Sequence, residues 1–153
     1  MRKYEINLFN DDFKDFINAL NTFEVEYILI GGYSVILHGY SRTTGDLDIW
    51  VNKTEVNYRK MEKAFNLFGI PADAIGINRF LNHNEYDVFS FGRSPVSIDI
   101  VTEIQGVEFE EAYKAIEKID VQGLEVNLIH INHLKQTKKA TGRFKDLDDL
   151  QNL

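Results

Sequence analysis

Four apolar residues in a row, Tyr27-Ile28-Leu29-Ile30, run straight into Gly31-Gly32. An apolar run without alternation fits a strand covered on both faces. A glycine pair directly after it lets the chain turn sharply and bring backbone close to whatever follows. Thirteen residues further on, Asp46-Leu47-Asp48-Ile49-Trp50-Val51 alternates, less cleanly at Trp50. Period two predicts a second strand, with Leu47, Ile49 and Val51 on one face. Between them, residues Ser34 to His38 read as a short helix stopped by Gly39. Any fold for this chain must fit strand, tight turn, short helix and strand into this stretch.

Elements flank it on both sides. Asp11 and Asp12 mark a helix start, and Phe13, Phe16, Ile17, Leu20 and Phe23 recur at helical spacing, predicting a helix over 11–23. A second long helix is predicted over 54–68, with Val56, Met61, Ala64, Phe65 and Phe68 inward and Gly69-Ile70-Pro71 closing it. Residues 72–84 read as irregular or a short helix. The runs 86–91 and 96–101 flank a Gly-Arg-Ser-Pro turn and predict a hairpin; Tyr86, Phe89 and Phe91 supply core on one face. A helix over 109–116, a second hairpin or edge strand around Gln122-Gly123, a helix over 131–141 ended by Gly142 and a helical turn or two over 146–153 complete the chain. The fold class expected is α+β: a mixed, mostly antiparallel sheet flanked by helices. No repeat, low-complexity tract or linker divides it, so one domain is expected over residues 1–153.

Bulk properties narrow the function classes. With 153 residues, 44% hydrophobic and 27% charged, the chain can bury its own core. It has no cysteine, which excludes disulfides and cysteine-bound zinc, and a reducing, cytoplasmic setting is expected. The start MRKYEINLFNDDF lacks the apolar region of a signal peptide. No stretch approaches the ~18 apolar residues of a membrane span, so no membrane partner is expected. A net charge of -7 weighs against a broad nucleic-acid surface.

The chemistry sits in the acids. Asp46 and Asp48, at i and i+2 of a strand, leave the same face. Side by side they repel unless a cation lies between them, and Mg²⁺ suits oxygen ligands shared with substrate phosphates. Asp99, between the core-facing Ile98 and Ile100, could complete a three-carboxylate set; Asp87 is the rival third member. A strand ending in Gly31-Gly32 before a helix offers backbone N–H groups to an anion, with the Ser34 hydroxyl nearby. His130 and His133 straddle a strand-to-helix junction with no third ligand in view, and His38 is expected to cap or pack.

This ordered set resembles the signature of the nucleotidyltransferase fold of the DNA polymerase β superfamily. The wording GGYSVILHGYSRTTGDLDI, with Arg42 and Thr44 ahead of the acids, resembles the bacterial branch that contains the AbiEii-type abortive-infection toxins. The tail around Lys138, Gly142-Arg143 and Lys145-Asp146 resembles the same branch, so the likeness runs from about Tyr27 to Leu150. The resemblance implies Mg²⁺ on Asp46, Asp48 and Asp99, and a nucleoside triphosphate, ATP or another, as substrate. It implies that Gly31, Gly32 and Ser34 cradle the triphosphate and that Arg42 and Lys138 contact phosphate. A nucleoside monophosphate would pass to a hydroxyl on a small molecule, a protein or an RNA end, in a toxin–antitoxin or phage-defence setting. A partner protein or homodimer could close so small a site. The alternative is a non-catalytic nucleotide-binding or protein-interaction module of the same fold. Lys135, Lys139 and Lys145 are expected to pair locally with Asp146, Asp148 and Asp149, whereas Lys138 and Arg143 are not; Asp146 and Asp149 are expected to fix a basic side chain rather than bind metal.

Overall fold

A computed structural model describes residues 1–71, 73–82, 88–93 and 96–153. In chain order the elements are β1 (Arg2–Tyr4), α1 (Asp11–Thr22), β2 (Tyr27–Ile30), α2 (Gly31–Leu37), β3 (Leu47–Val51), α3 (Glu55–Phe68) and α4 (Ile77–Asn82). They continue with β4 (Val88–Phe91), β5 (Ile98–Val101), α5 (Phe109–Lys114), β6 (Glu117–Val121), β7 (Leu124–Leu128), α6 (Ile131–Thr141) and α7 (Phe144–Asn152). Tyr86 and Asp87, one assigned to the core and one held as a third acid, lie outside the described residues.

Among the described residues one sheet holds seven strands in the order β1-β6-β7-β2-β3-β5-β4. The expectation of a mostly antiparallel sheet is corrected. β2–β3, β4–β5 and β6–β7 are antiparallel, but β1–β6, β2–β7 and β3–β5 are parallel. Antiparallel neighbours joined by tight turns leave a local signature, whereas parallel neighbours need long crossovers that leave none. β1 was not predicted at all. Its three residues are too few to show a period, and it is held by pairing with β6, by an Arg2–Glu117 ion pair at 2.8 Å and by Arg2 donating to the Leu37 carbonyl.

Alternation along the central strands sorts the two faces. Leu47, Ile49, Val51, Ile98 and Ile100 point into the larger core with Phe13, Phe16, Leu20, Met61 and Phe65 from α1 and α3. Trp50 and Val101 point the other way, into a smaller core with Ile28, Phe109 and Leu134. Trp50 meets Phe109 edge-on at 5.1 Å and donates its indole N–H to the Thr102 carbonyl. Asp48 and Asp99 share this second face, where Leu134, Thr137, Lys138 and Thr141 of α6 line the same cavity.

The long helices α1 and α3 follow their sequence signals, apart from one residue of α3, whereas the helix expected over 109–116 ends at Lys114. Asn10 caps α1 by accepting the Phe13 N–H at 2.8 Å, and Thr54 caps α3 by accepting from Asn57. Val56, expected inward, is 69% exposed. Starting α3 at Glu55 sets the inward stripe at Tyr58, Met61, Ala64 and Phe65, and Val56 falls off it. No helix among the described residues is long and apolar enough to cross a membrane.

Asn57 is the buried polar residue that ties α3 to the sheet. Its Oδ1 accepts the Glu26 N–H at 2.8 Å, and its Nδ2 donates to the Glu26 and Asn52 carbonyls at 3.1 and 2.9 Å. Asn57→Ala strands these groups away from water, at an expected cost of about 2–4 kcal/mol. Thermal unfolding followed by circular dichroism should show a melting temperature lower by roughly 5–10 °C; an unchanged midpoint would contradict this account.

Candidate functional site

The parallel register of β3 and β5 places Asp48 directly beside Asp99. Both line a cavity of about 460 Å³ at the open end of the second sheet face, a volume in the range of small-molecule sites. The hydroxyls of Ser90 and Ser97 donate to Asp99 Oδ1 at 2.8 and 3.0 Å and fix the plane of that carboxylate. Asp46 stands apart. Its Oδ1 accepts the Ser97 N–H at 3.0 Å, and it is not among the cavity-lining residues. Among the described residues no group of three or more His, Asp or Glu side chains is gathered closely enough to hold a metal ion. The structure therefore brings together two of the three acids singled out by sequence.

Gly31 explains how tightly the first acid is held. Its φ is +73°, a conformation side chains rarely adopt, and a Cβ here would run into the Asp48 carboxylate. Gly32 is similarly crowded by Thr44, with Arg42 Nη1 beyond it at 3.3 Å. Helix α2 begins at Gly31, earlier than the expected Ser34. Ser34 is corrected: fully buried, its hydroxyl donates to the Gly31 carbonyl at 2.6 Å. It holds the turn and does not face the cavity.

The cations come from both ends of the chain. Lys138 is 7% exposed and reaches Asp149 at 3.0 Å and Asp146 at 3.3 Å. Arg42 Nε lies 2.9 Å from Asp149 Oδ1, without the line-up of a hydrogen bond, while its Nη2 donates to Asp149 Oδ2 at 3.2 Å. Arg143 meets Asp146 at 2.8 Å, and Thr141 donates to the same oxygen at 2.7 Å. One part of the expectation is corrected: Lys138 and Arg143 do make local pairs, and both line the cavity together with Lys145. Asp146 and Asp149 do hold basic side chains. Burial works to raise the Asp146 carboxyl, but hydrogen bonds from Arg143 and Thr141 and the Lys138 charge hold it well below the usual carboxylate range.

Among the described residues, His38, His130 and His133 do not line the cavity. His38 bonds the Ile129 carbonyl through Nε2 at 2.6 Å, and His130 caps α6 by accepting from Asn132. Thr137, Thr141, Gln105 and Ile104 line the cavity without having been singled out. The first two were detectable, since Leu134, Thr137, Lys138 and Thr141 form one helical stripe.

Burial, then the charges of Asp99 and Asp46, push the Asp48 carboxyl up to about 7, against the pull of Lys145 and Lys138. Two carboxylates this placed are short of positive charge. They fit one Mg²⁺ better than two, because that ion is commonly held by one or two carboxylates with water and phosphate. The pH consequence has a definite sign. An unfolded aspartate titrates near ~3.9, so between that value and about 7 the folded chain binds more protons than the unfolded one. Stability from Asp48 is full below the lower value and is lost as the pH rises through the window. Asp48→Asn removes the loss. Its stability advantage over the parent should widen by roughly 2 kcal/mol between pH 5 and 8 in thermal unfolding without divalent ions. A gap that stays constant with pH would refute the assignment.

No family model and no curated protein matches the chain. Among solved structures, the crystal structure of a Thermotoga maritima protein provisionally named a nucleotidyltransferase is similar, with a TM-score of 0.57 at 12% identity. The likeness covers 91% of this chain and 88% of the other. At that identity it shows a shared fold.

Proposed function

We propose that this chain is a Mg²⁺-dependent nucleotidyltransferase that moves a nucleoside monophosphate from a nucleoside triphosphate to a hydroxyl acceptor. The observation that carries the reading is the in-register pair Asp48–Asp99 on the wall of a cavity that Lys138, Arg143 and Lys145 also line. Acids beside cations suit a metal–polyphosphate ligand, and the shared fold agrees.

Asp48 and Asp99 would hold the Mg²⁺, with Asp46 at the edge of the set. When bound, the ion supplies charge neutralisation for the carboxylates and for the triphosphate oxygens. Gly31 and Gly32 line the cavity and let Asp48 and Thr44 close against the backbone there, and Arg42 and Lys138 would face the phosphates. In the transfer, the acceptor oxygen bonds to the α-phosphorus as the bond to the bridging oxygen breaks, and pyrophosphate leaves with the electron pair. Asp99, fixed by its two serines, takes the hydroxyl proton. Positioning and charge neutralisation carry most of such catalysis.

The acceptor is a small molecule, a protein or an RNA end, and the negative net charge favours the first two. The order of Lys138, Gly142-Arg143 and Lys145-Asp146 supports the AbiEii-type branch, and through it a cytoplasmic toxin–antitoxin or phage-defence role, with a partner chain or second copy closing the site. A second reading, a non-catalytic nucleotide-binding module, is favoured by the placement of Asp46 on the Ser97 amide.

Calorimetric titration of ATP, GTP, CTP and UTP with and without Mg²⁺ tests the proposal. Binding should require Mg²⁺ and fall at least about tenfold in Asp48→Asn/Asp99→Asn, the loss expected when charge-assisted contacts disappear. If no triphosphate binds in either condition, the proposal fails. Tight binding without pyrophosphate release across small-molecule, protein and RNA acceptors would favour the second reading.

A further inference from the structure

Asp149, like Asp146, has no exposed surface. It belongs to α7, yet it touches side chains from two distant segments. One oxygen faces Arg42 Nε at 2.9 Å; the other lies 3.0 Å from Lys138 Nζ and 3.2 Å from Arg42 Nη2. Arg42 comes from the loop between α2 and β3, and Lys138 from the cavity side of α6. Both cations line the cavity with Asp48 and Asp99. Asp149 does not.

Such a cluster is a poor way to gain stability. Well-packed apolar groups of the same volume usually do as well or better, because taking charges out of water is expensive. What a buried carboxylate does provide is geometry. Arg42 is a long side chain on a loop and Lys138 a flexible stem on a helix, and each would otherwise sample many rotamers. Two flanking contacts reinforce the arrangement: Asp146 gives Lys138 a second partner, and Tyr40 donates to Asp148 at 2.9 Å, pinning α7 against the loop that carries Arg42.

We propose that Asp149 is a positioning residue: one buried carboxylate that sets Arg42 and Lys138 as a fixed pair of cations for the phosphates of the substrate. The ligand in this statement rests on the nucleotide reading of the cavity; the positioning does not. Asp149 acts through the two cations and does not itself touch the substrate.

Two measurements on the full chain separate these layers. The first is side-chain ¹⁵N NMR, with the Lys138 ammonium and Arg42 Nε–H signals assigned through Lys138→Gln and Arg42→Gln. Both signals should be resolved and slow to exchange in the parent, and both should shift or vanish in Asp149→Asn. Signals unmoved by that change overturn the proposal. The second is ATP affinity in the presence of Mg²⁺. Asp149→Asn should weaken it about tenfold in the parent, yet change it no more than about twofold in an Arg42→Gln/Lys138→Gln background, because coupled residues are not additive. An equal loss in both backgrounds would mean that Asp149 works by another route, and tighter binding that it competes with phosphate; either overturns the proposal. If the parent binds no ATP, the nucleotide reading fails and the NMR result alone decides the role of Asp149. Should Asp149→Asn not fold, Asp149→Glu keeps the charge and moves it, and both side-chain signals must shift.

Discussion

β3 and β5 run side by side in parallel, and their register sets Asp48 against Asp99 while Ile49 and Ile100 face the opposite core. Slip that register by one residue and every side chain on the strand changes face. The acids would then be driven into apolar packing and the isoleucines into the cavity. The large core under α1 and α3 therefore acts as the clamp on the site: apolar burial on one side of the sheet holds two like charges together on the other. Burial first and their repulsion second raise the Asp48 carboxyl, and that cost is small beside the apolar burial that opposes it.

The opposing charges reach the cavity by a different physical route. Arg42, Lys138 and Arg143 pair with two acids of α7, Asp149 and the cavity-lining Asp146, rather than standing on a strand. One half of the site is thus a product of sheet register and the other of buried electrostatics. A single surface brings together two acids that repel each other and cations already paired with acids of α7. The metal–polyphosphate ligand proposed above is one that would answer both.

What the sequence revealed followed the range of each signal. Helices α1, α3 and α6 and strands β2, β3 and β5 were legible because periodicity and caps are local. The same alternation that predicted β3 put Leu47, Ile49 and Val51 in the core. Local signals misjudged what depends on distant partners. The parallel pairings and the three-residue β1 have no short-range mark. Val56 looked inward because it is apolar, although the start of α3 turns it out. Ser34 looked available because it follows the glycines, but a seven-residue helix folds its hydroxyl back onto Gly31. At the candidate site, alternation put Asp48 and Asp99 on one sheet face, whereas the bond that the Ser97 amide donates to Asp46 comes from about fifty residues away and has no short-range mark.

The join between β2 and β7 has a wider consequence. It is a short parallel contact, with Leu29 opposite Leu128, reinforced by Ile129 donating to the Leu29 carbonyl at 3.2 Å and Asn127 donating to the Tyr27 carbonyl at 3.1 Å. On one side of this seam stand β2, β3, β5 and β4 with the acids; on the other stand β1, β6 and β7, and α6 departs directly from β7 carrying Lys138. Those few contacts, with the packing of Leu134 of α6 against Ile28 and Trp50, bear on the separation between the lysine and the carboxylates. Side chains at the seam, none of them in the cavity, thereby calibrate the width of the gap in which a ligand must fit.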